Sequence, residues 1–175
     1  MERKLDAILE ARLRKLVDKD DIADVLARYC RGVDRCDVDL IASAFHPDAA
    51  DEHSYRLLTG TEVGPFLVER MRTTFKASLH SLLQSRIEVD GDTATGETYY
   101  VAWLLSEQEG KERIDQAEGR YIDRFERRDG EWRIAHRVVL PEMSASLDRP
   151  TQDLVKHLSD KPQRSQADIS YRRLA

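Results

Sequence analysis

Between Leu79 and Leu140 the chain is almost continuously strand-like, and short turn signals cut it into four runs. The runs are Leu79 to Val89, Thr93 to Leu105, Ile114 to Arg127 and Glu131 to Leu140, rich in Thr, Tyr, Val, Ile and Trp. Asp90-Gly91-Asp92 and Arg128-Asp129-Gly130 are tight-turn signals, and Glu107 to Arg113 is a polar connection. Connections this short cannot hold a crossover, so consecutive strands must pair antiparallel.

Upstream the period is helical. Leu5, Ile8, Leu9, Leu13 and Leu16 make a narrow apolar stripe in a charged helix over Leu5 to Asp20, able to pack on the body or on a partner. Ile22, Val25, Leu26, Tyr29, Cys30 and Val33 give a second helix, Asp21 to Cys36, with a core face. At 100° per residue Asp34 falls about 40° beyond Cys30, at the edge of that face, where a carboxylate can be aimed into a pocket. Asp39 is expected to cap a short helix through Phe45 that His46-Pro47-Asp48 breaks, with a loop or short strand after it. Gly60-Thr61 opens a further helix with Thr61 as its cap and Val63, Phe66, Leu67, Met71 and Phe75 on one side. Helices first and strands afterwards predict an α+β fold: N-terminal helices covering one face of a curved antiparallel sheet. One domain is expected over residues 1–145, with a polar extension over 146–175 that carries a weak helix near Gln152 to Leu158.

Composition narrows the function classes. With 175 residues the chain is one domain's worth and can bury a sizeable core. Lys plus Arg is 28 against 33 Asp plus Glu, a net charge of −5 with the cations scattered, which argues against a nucleic-acid partner. No apolar run is long enough to span a membrane, and Met1-Glu2-Arg3-Lys4-Leu5-Asp6 is unlike a signal peptide, so a cytoplasmic location without membrane contact is expected. Cys30 and Cys36 lie on different helical faces and read as plain thiols. No phosphate-binding glycine loop, dinucleotide fingerprint or Gly-x-Ser-x-Gly elbow is present. His46, Asp51, Glu52 and His53 are metal-ligand residue types without the spacing that fixes a metal's geometry, so no metal site is assigned.

Asp34 and His80, at the end of a core helix and the start of the first long strand, are the pair with chemical potential. A carboxylate on one ring nitrogen fixes the imidazole tautomer and stabilises its cation, so the other nitrogen can take a proton near neutral pH. The alternative is a hydrogen-bonded structural histidine. Tyr99, Tyr100, Trp103, Tyr121 and Trp132 lie in strands, where alternation sends some inward to suit a flat or aromatic ligand. In the last strand Trp132, Ile134, His136, Val138 and Leu140 share one face, and Arg133, Ala135, Arg137 and Val139 the other, unless a bulge exchanges them. An inward Arg137 needs an anionic or polar partner.

Three segments, IADVLARYCRGVD from Ile22 to Asp34, LHSLLQSRIEVDGDTATGETY from Leu79 to Tyr99 and GRYIDRFERRDGEWRIAHR from Gly119 to Arg137, resemble the SnoaL-like branch of the nuclear-transport-factor-2-like superfamily. The likeness covers about residues 20 to 145 and is more specific for fold than for reaction. It implies a cone-shaped α+β barrel with a deep apolar pocket between the curved sheet and the N-terminal helices. In the dehydratase and dehydrochlorinase members an Asp after the first core helix pairs with a His opening the first long strand, positions matched here by Asp34 and His80. The dehydrochlorinase arginine five residues after a strand tryptophan is matched by Arg137 after Trp132. Its pocket lysine aligns with Tyr29, which argues against dehydrochlorination and implies a hydroxyl donor instead.

The resemblance implies a cofactor-independent lyase with Asp34 and His80 catalytic and Tyr29, Arg137, Tyr100, Trp103 and Tyr121 around a small hydrophobic, aromatic substrate. Water loss is the leading version, and retro-aldol release of a small aldehyde shares its first step. An isomerase or cyclase of the same fold, and a non-catalytic binding or assembly module, are the other readings. A homodimer or homotrimer through the outer sheet face is implied, with the C-terminal extension covering the pocket or clasping a neighbour.

Overall fold

In a computed structural model, which describes residues 2–53, 56–148 and 162–171, the two expected N-terminal helices are one. Helix α1 runs from Glu2 to Arg35 without a break. No glycine or proline separates the two apolar stripes, and the charged residues between them are adequate helix formers, so nothing stops the helix at Asp20. Its first half stands clear of the body, with Leu5, Ile8, Leu9, Leu13, Leu16 and Val17 all exposed. Asp18 is where it joins, taking the Trp132 indole N–H at 3.0 Å and a guanidinium N–H of Arg127. From Ile22 to Val33 the inner stripe is buried as expected.

The end of α1 is sharp. Cys36 takes φ 51°, its N–H bonds Val33 O, and Asp37 N–H bonds Gly32 O at 2.9 Å. These are the two bonds of a Schellman cap, here closed by a cysteine at the position where glycine is usual. The cap ends the helix directly after the turn that carries Asp34. Helix α2 spans Val38–Ala42, and Asp37 rather than Asp39 caps it, accepting Leu40 N–H at 3.0 Å. The α2 backbone crosses α1 so closely that a Cβ on Gly32 would lie 2.7 Å from Ile41 Cγ1 and 2.9 Å from its backbone nitrogen.

Two strands precede the last helix, which corrects the helices-first order. Strand β1 spans Phe45–His53 and β2 Arg56–Thr59, followed by helix α3, Gly60–Thr74. Pro47 does not break the segment into a loop; the ladder of β1 is irregular between Phe45 and Ala50, which accommodates a residue with no N–H to donate. Thr59, not Thr61, caps α3, with its N–H held by the Glu62 carboxylate at 2.8 Å in a capping box. Strands β3 (Ala77–Asp90), β4 (Thr93–Gln108), β5 (Lys111–Arg128) and β6 (Glu131–Asp148) form the expected antiparallel meander. Glu109-Gly110 and Asp129-Gly130 close two of its hairpins with both residues at positive φ, the primed-turn geometry that suits twisted strands.

The sheet order is β2-β1-β6-β5-β4-β3, and β1 lies parallel to β6. The sheet is therefore mixed at one edge, because a strand entering before the meander reaches its last member only by a long-range connection. Strand β6 continues past Pro141, so the segment expected to be irregular is paired with β5 as far as Asp148. Its register shifts between Arg124 and Phe125 of β5, giving Ala135 no separate partner. That bulge exchanges faces: Trp132 and Ile134 are buried before it, Arg137 and Val139 after it. The buried core lies between this inner face and helices α1 and α3.

Residues 162–171 fold back onto the end of α1. Arg35 binds Gln163 O at 3.1 Å and the Asp168 carboxylate at 3.2 Å, while the Tyr171 hydroxyl donates to Asp37 Oδ2 at 2.7 Å. The extension thus clasps its own helix end. The helix expected near Gln152 to Leu158 lies outside the described residues.

Candidate active site

The Schellman cap and the α1–α2 crossing set the last turn of α1 against the start of β3. Asp34 Oδ1 lies 2.7 Å from His80 Nδ1, and Oδ2 accepts the His80 backbone N–H at 2.9 Å. Burial pushes the Asp34 carboxyl up, but the His80 hydrogen bonds and the imidazole charge outweigh it and hold the group below its usual range. Asp34 is therefore an acceptor only, so Nδ1 carries the proton and Nε2 is left for a ligand.

His80 opens onto a cavity of about 190 Å³ between α1, α3 and the inner sheet face. Tyr29, Tyr100 and Tyr121, three of the expected ligand contacts, line it with His80. Tyr100 and Tyr121 stack with ring centroids 4.4 Å apart, and Tyr29 meets Tyr121 edge-on at 5.7 Å. Burial raises the pKa of each hydroxyl, most strongly at Tyr29 and Tyr121, although the charge of Arg137 opposes it. All three stay protonated at neutral pH.

Arg137 and Trp103 are not placed where a ligand would meet them. Arg137 is fully buried behind the tyrosines, its guanidinium 4.3 Å from the Tyr29 centroid and 4.2 Å from that of Tyr121. Its partner is Asp123, which accepts from Nε at 2.7 Å and Nη2 at 2.8 Å. Burial opposes the charge of Arg137, but Asp123 more than restores it and raises the pKa; since arginine keeps its proton, the pair is ionic even though burial pushes Asp123 upward. The expected inward arginine thus meets its anion within the protein. Trp103 sits between inward Ala102 and Leu104, so the two-residue period turns it to the outer face, where it is 37% exposed.

His53, in sequence only one of the loose metal-ligand types, is a cavity residue. Its strand was not expected to lie beside β6, and that pairing is what brings it to the cavity. The four metal-ligand types do not converge as a set: Asp51 lies beside His53, but His46 Nε2 bonds Glu126 O at 2.9 Å and Glu52 meets His136 at 2.8 Å. Among the described residues no group of three or more His, Cys, Asp or Glu is arranged to hold a metal. Cys30 and Cys36 are buried free thiols, and burial pushes Cys30 up to about 12, which makes it inert. No helix among the described residues is long and apolar enough to cross a membrane.

Comparison with solved structures returns the same architecture. A protein of unknown function from Mycobacterium tuberculosis is 27% identical, with 74% of each chain covered and a TM-score of 0.65. A putative scytalone dehydratase from Novosphingobium aromaticivorans is 21% identical over 79% of this chain and 91% of its own, TM-score 0.66. A type 2 hexachlorocyclohexane dehydrochlorinase is 19% identical over 84% and 99%, TM-score 0.70. No curated protein matches the sequence significantly. The model of the SnoaL-like domain matches residues 14–138, which include Asp34, His80, strands β3 to β5 and the first part of β6. The chain belongs to the SnoaL-like family and has the nuclear-transport-factor-2-like cone fold.

Proposed function

We propose that the protein is a cofactor-independent lyase in which His80 removes a proton from a small cyclic substrate. The observation that carries this reading is the two-point hold of Asp34 on His80 at 2.7 and 2.9 Å beside an open cavity. Asp34 keeps the proton on Nδ1, stabilises the imidazolium formed by proton abstraction and stops the ring from turning away. The tyrosine hydroxyls supply donors to an oxygen of the substrate. A dry cavity of about 150 Å³ is known to hold benzene, so about 190 Å³ admits one ring with a polar substituent. Loss of water from a β-hydroxy carbonyl compound is the version we favour. The same base acting on a hydroxyl would begin a retro-aldol cleavage, and returning the proton to another carbon would be an isomerisation. A purely assembling module would be expected to fill this space; the open cavity supports chemistry.

The test is turnover of a six-membered cyclic β-hydroxy ketone, read as the absorbance of the conjugated enone. Wild type is expected to accelerate its formation, with His80→Ala and Asp34→Asn lowering kcat by about 10²- to 10⁴-fold. Equal rates in wild type and His80→Ala would contradict the reading.

A further inference from the structure

The cavity has a second histidine backed by a buried carboxylate. His53 lines it from β1, while His80 lines it from β3; three strands, β6, β5 and β4, separate the two along the curved sheet. Asp51, two residues before His53 on the same face of β1, is fully buried and neither of its oxygens has a hydrogen-bond partner. An unmatched buried carboxylate is costly and persists where something else requires it. The cation in strand register with Asp51, Arg137, gives Nε and Nη2 to Asp123 and leaves Nη1 buried without a hydrogen-bond partner. The basic group beside Asp51 is the imidazole of His53, with Nδ1 3.4 Å from Oδ2. This repeats, more loosely, the arrangement of Asp34 and His80; catalytic hydrogen bonds in empty sites are often long and tighten on binding.

We propose that His53, held at Nδ1 by Asp51, is the proton donor to the departing oxygen, acting opposite the His80 base; this rests on the lyase reading above. In the step, His80 Nε2 takes the α-proton and the C–H electrons form the C=C bond. The C–O bond breaks, and its oxygen takes the Nε2 proton of a doubly protonated His53, leaving as water. One proton then passes through solvent from His80 to His53, which resets both rings. Asp51 stabilises the charged ring before the step and keeps the Nδ1 proton in place during it.

Two readouts decide the proposal. Proton NMR of the protein with labelled histidine should show a protected Nδ1–H signal for His53, identified by its absence in His53→Gln. Asp51→Asn should abolish it and leave the His80 signal unmoved, while Asp34→Asn should do the reverse. In turnover of the cyclic β-hydroxy ketone, His53→Gln should lower kcat by about 10²-fold with KM changed less than about threefold. No protected signal at His53 in wild type, or full turnover by His53→Gln, overturns the proposal, and the wild-type spectrum decides even where Asp51→Asn does not fold. Failure of the lyase reading is distinct, because it appears as wild-type turnover no faster than His80→Ala with the His53 signal still present, and it overturns the donor role as well.

Discussion

Asp34 divides its two oxygens between the ring and the backbone of one residue, so it fixes both the position and the tautomer of His80. Its carboxyl is held below the usual 3.8, and so is that of Asp168, chiefly through the Ser170 hydroxyl and then the backbone N–H groups of Gln163 and Ser170. A carboxylate with a depressed folded-state pKa adds stability that is complete above its unfolded value and is lost as pH falls through the folded one. Thermal midpoints should therefore carry the full contribution of these two groups, unchanged from pH 7 to 5, with its loss beginning below about pH 4. Asp34→Asn should shallow that acid limb; an unchanged limb would show that His80 does not lower the Asp34 pKa. Arg137 makes a separate demand, since removing its partner leaves a buried charge. Asp123→Ala is expected to cost about 3–5 kcal/mol in urea unfolding, and a loss under 1 kcal/mol would contradict the ionic pair. The need of Arg137 for an anion was readable from its residue type, but Asp123 as that anion was not, because it depends on the cross-strand register and on a bulge at Ala135.

At the level of elements, the meander was legible because its turns are local: Gly91, Gly110 and Gly130 sit where two strands must reverse. Strand β1 was not, since its parallel partner β6 lies far along the chain and Pro47 disguises it as a break. The cost of that omission was His53. Trp103 failed for a different reason: strand character says nothing about which parity faces inward, and the register puts Ala102 opposite His80, leaving Trp103 outside. The two N-terminal helices merged because an acidic stretch without glycine or proline continues a helix. The α1–α2 crossing is the element contact that aims Asp34, and it is closed by the absent side chain of Gly32. Gly32→Ala is expected to destabilise by about 1–3 kcal/mol through overpacking against Ile41, read from the urea midpoint, and to weaken turnover with it. An unchanged midpoint would mean that the crossing is looser than its 2.7 Å approach indicates.

At the scale of the whole molecule the cone leaves two apolar surfaces in water, the stripe on the free half of α1 and the outer face of the meander. Leu79, Trp103, Met143 and Leu147 share that outer face and are each more than a third exposed. A monomer rarely exposes contiguous apolar area of this kind, so sedimentation is expected to report a dimer or trimer that Trp103→Arg shifts toward monomer. A monomeric wild type would contradict that expectation. The other face of the same sheet, covered by α1 and α3, holds the cavity where two imidazoles, three phenols and a single-ring volume meet. The proposed role of His80 as a base toward carbon in that cavity can be tested without a leaving group. The measurement is exchange of the α-protons of cyclohexanone in deuterated water, followed by proton NMR with wild type, His80→Ala and Asp34→Asn. Exchange is expected to run well above the uncatalysed rate in wild type and little above it in either variant; exchange that survives His80→Ala would contradict the base role.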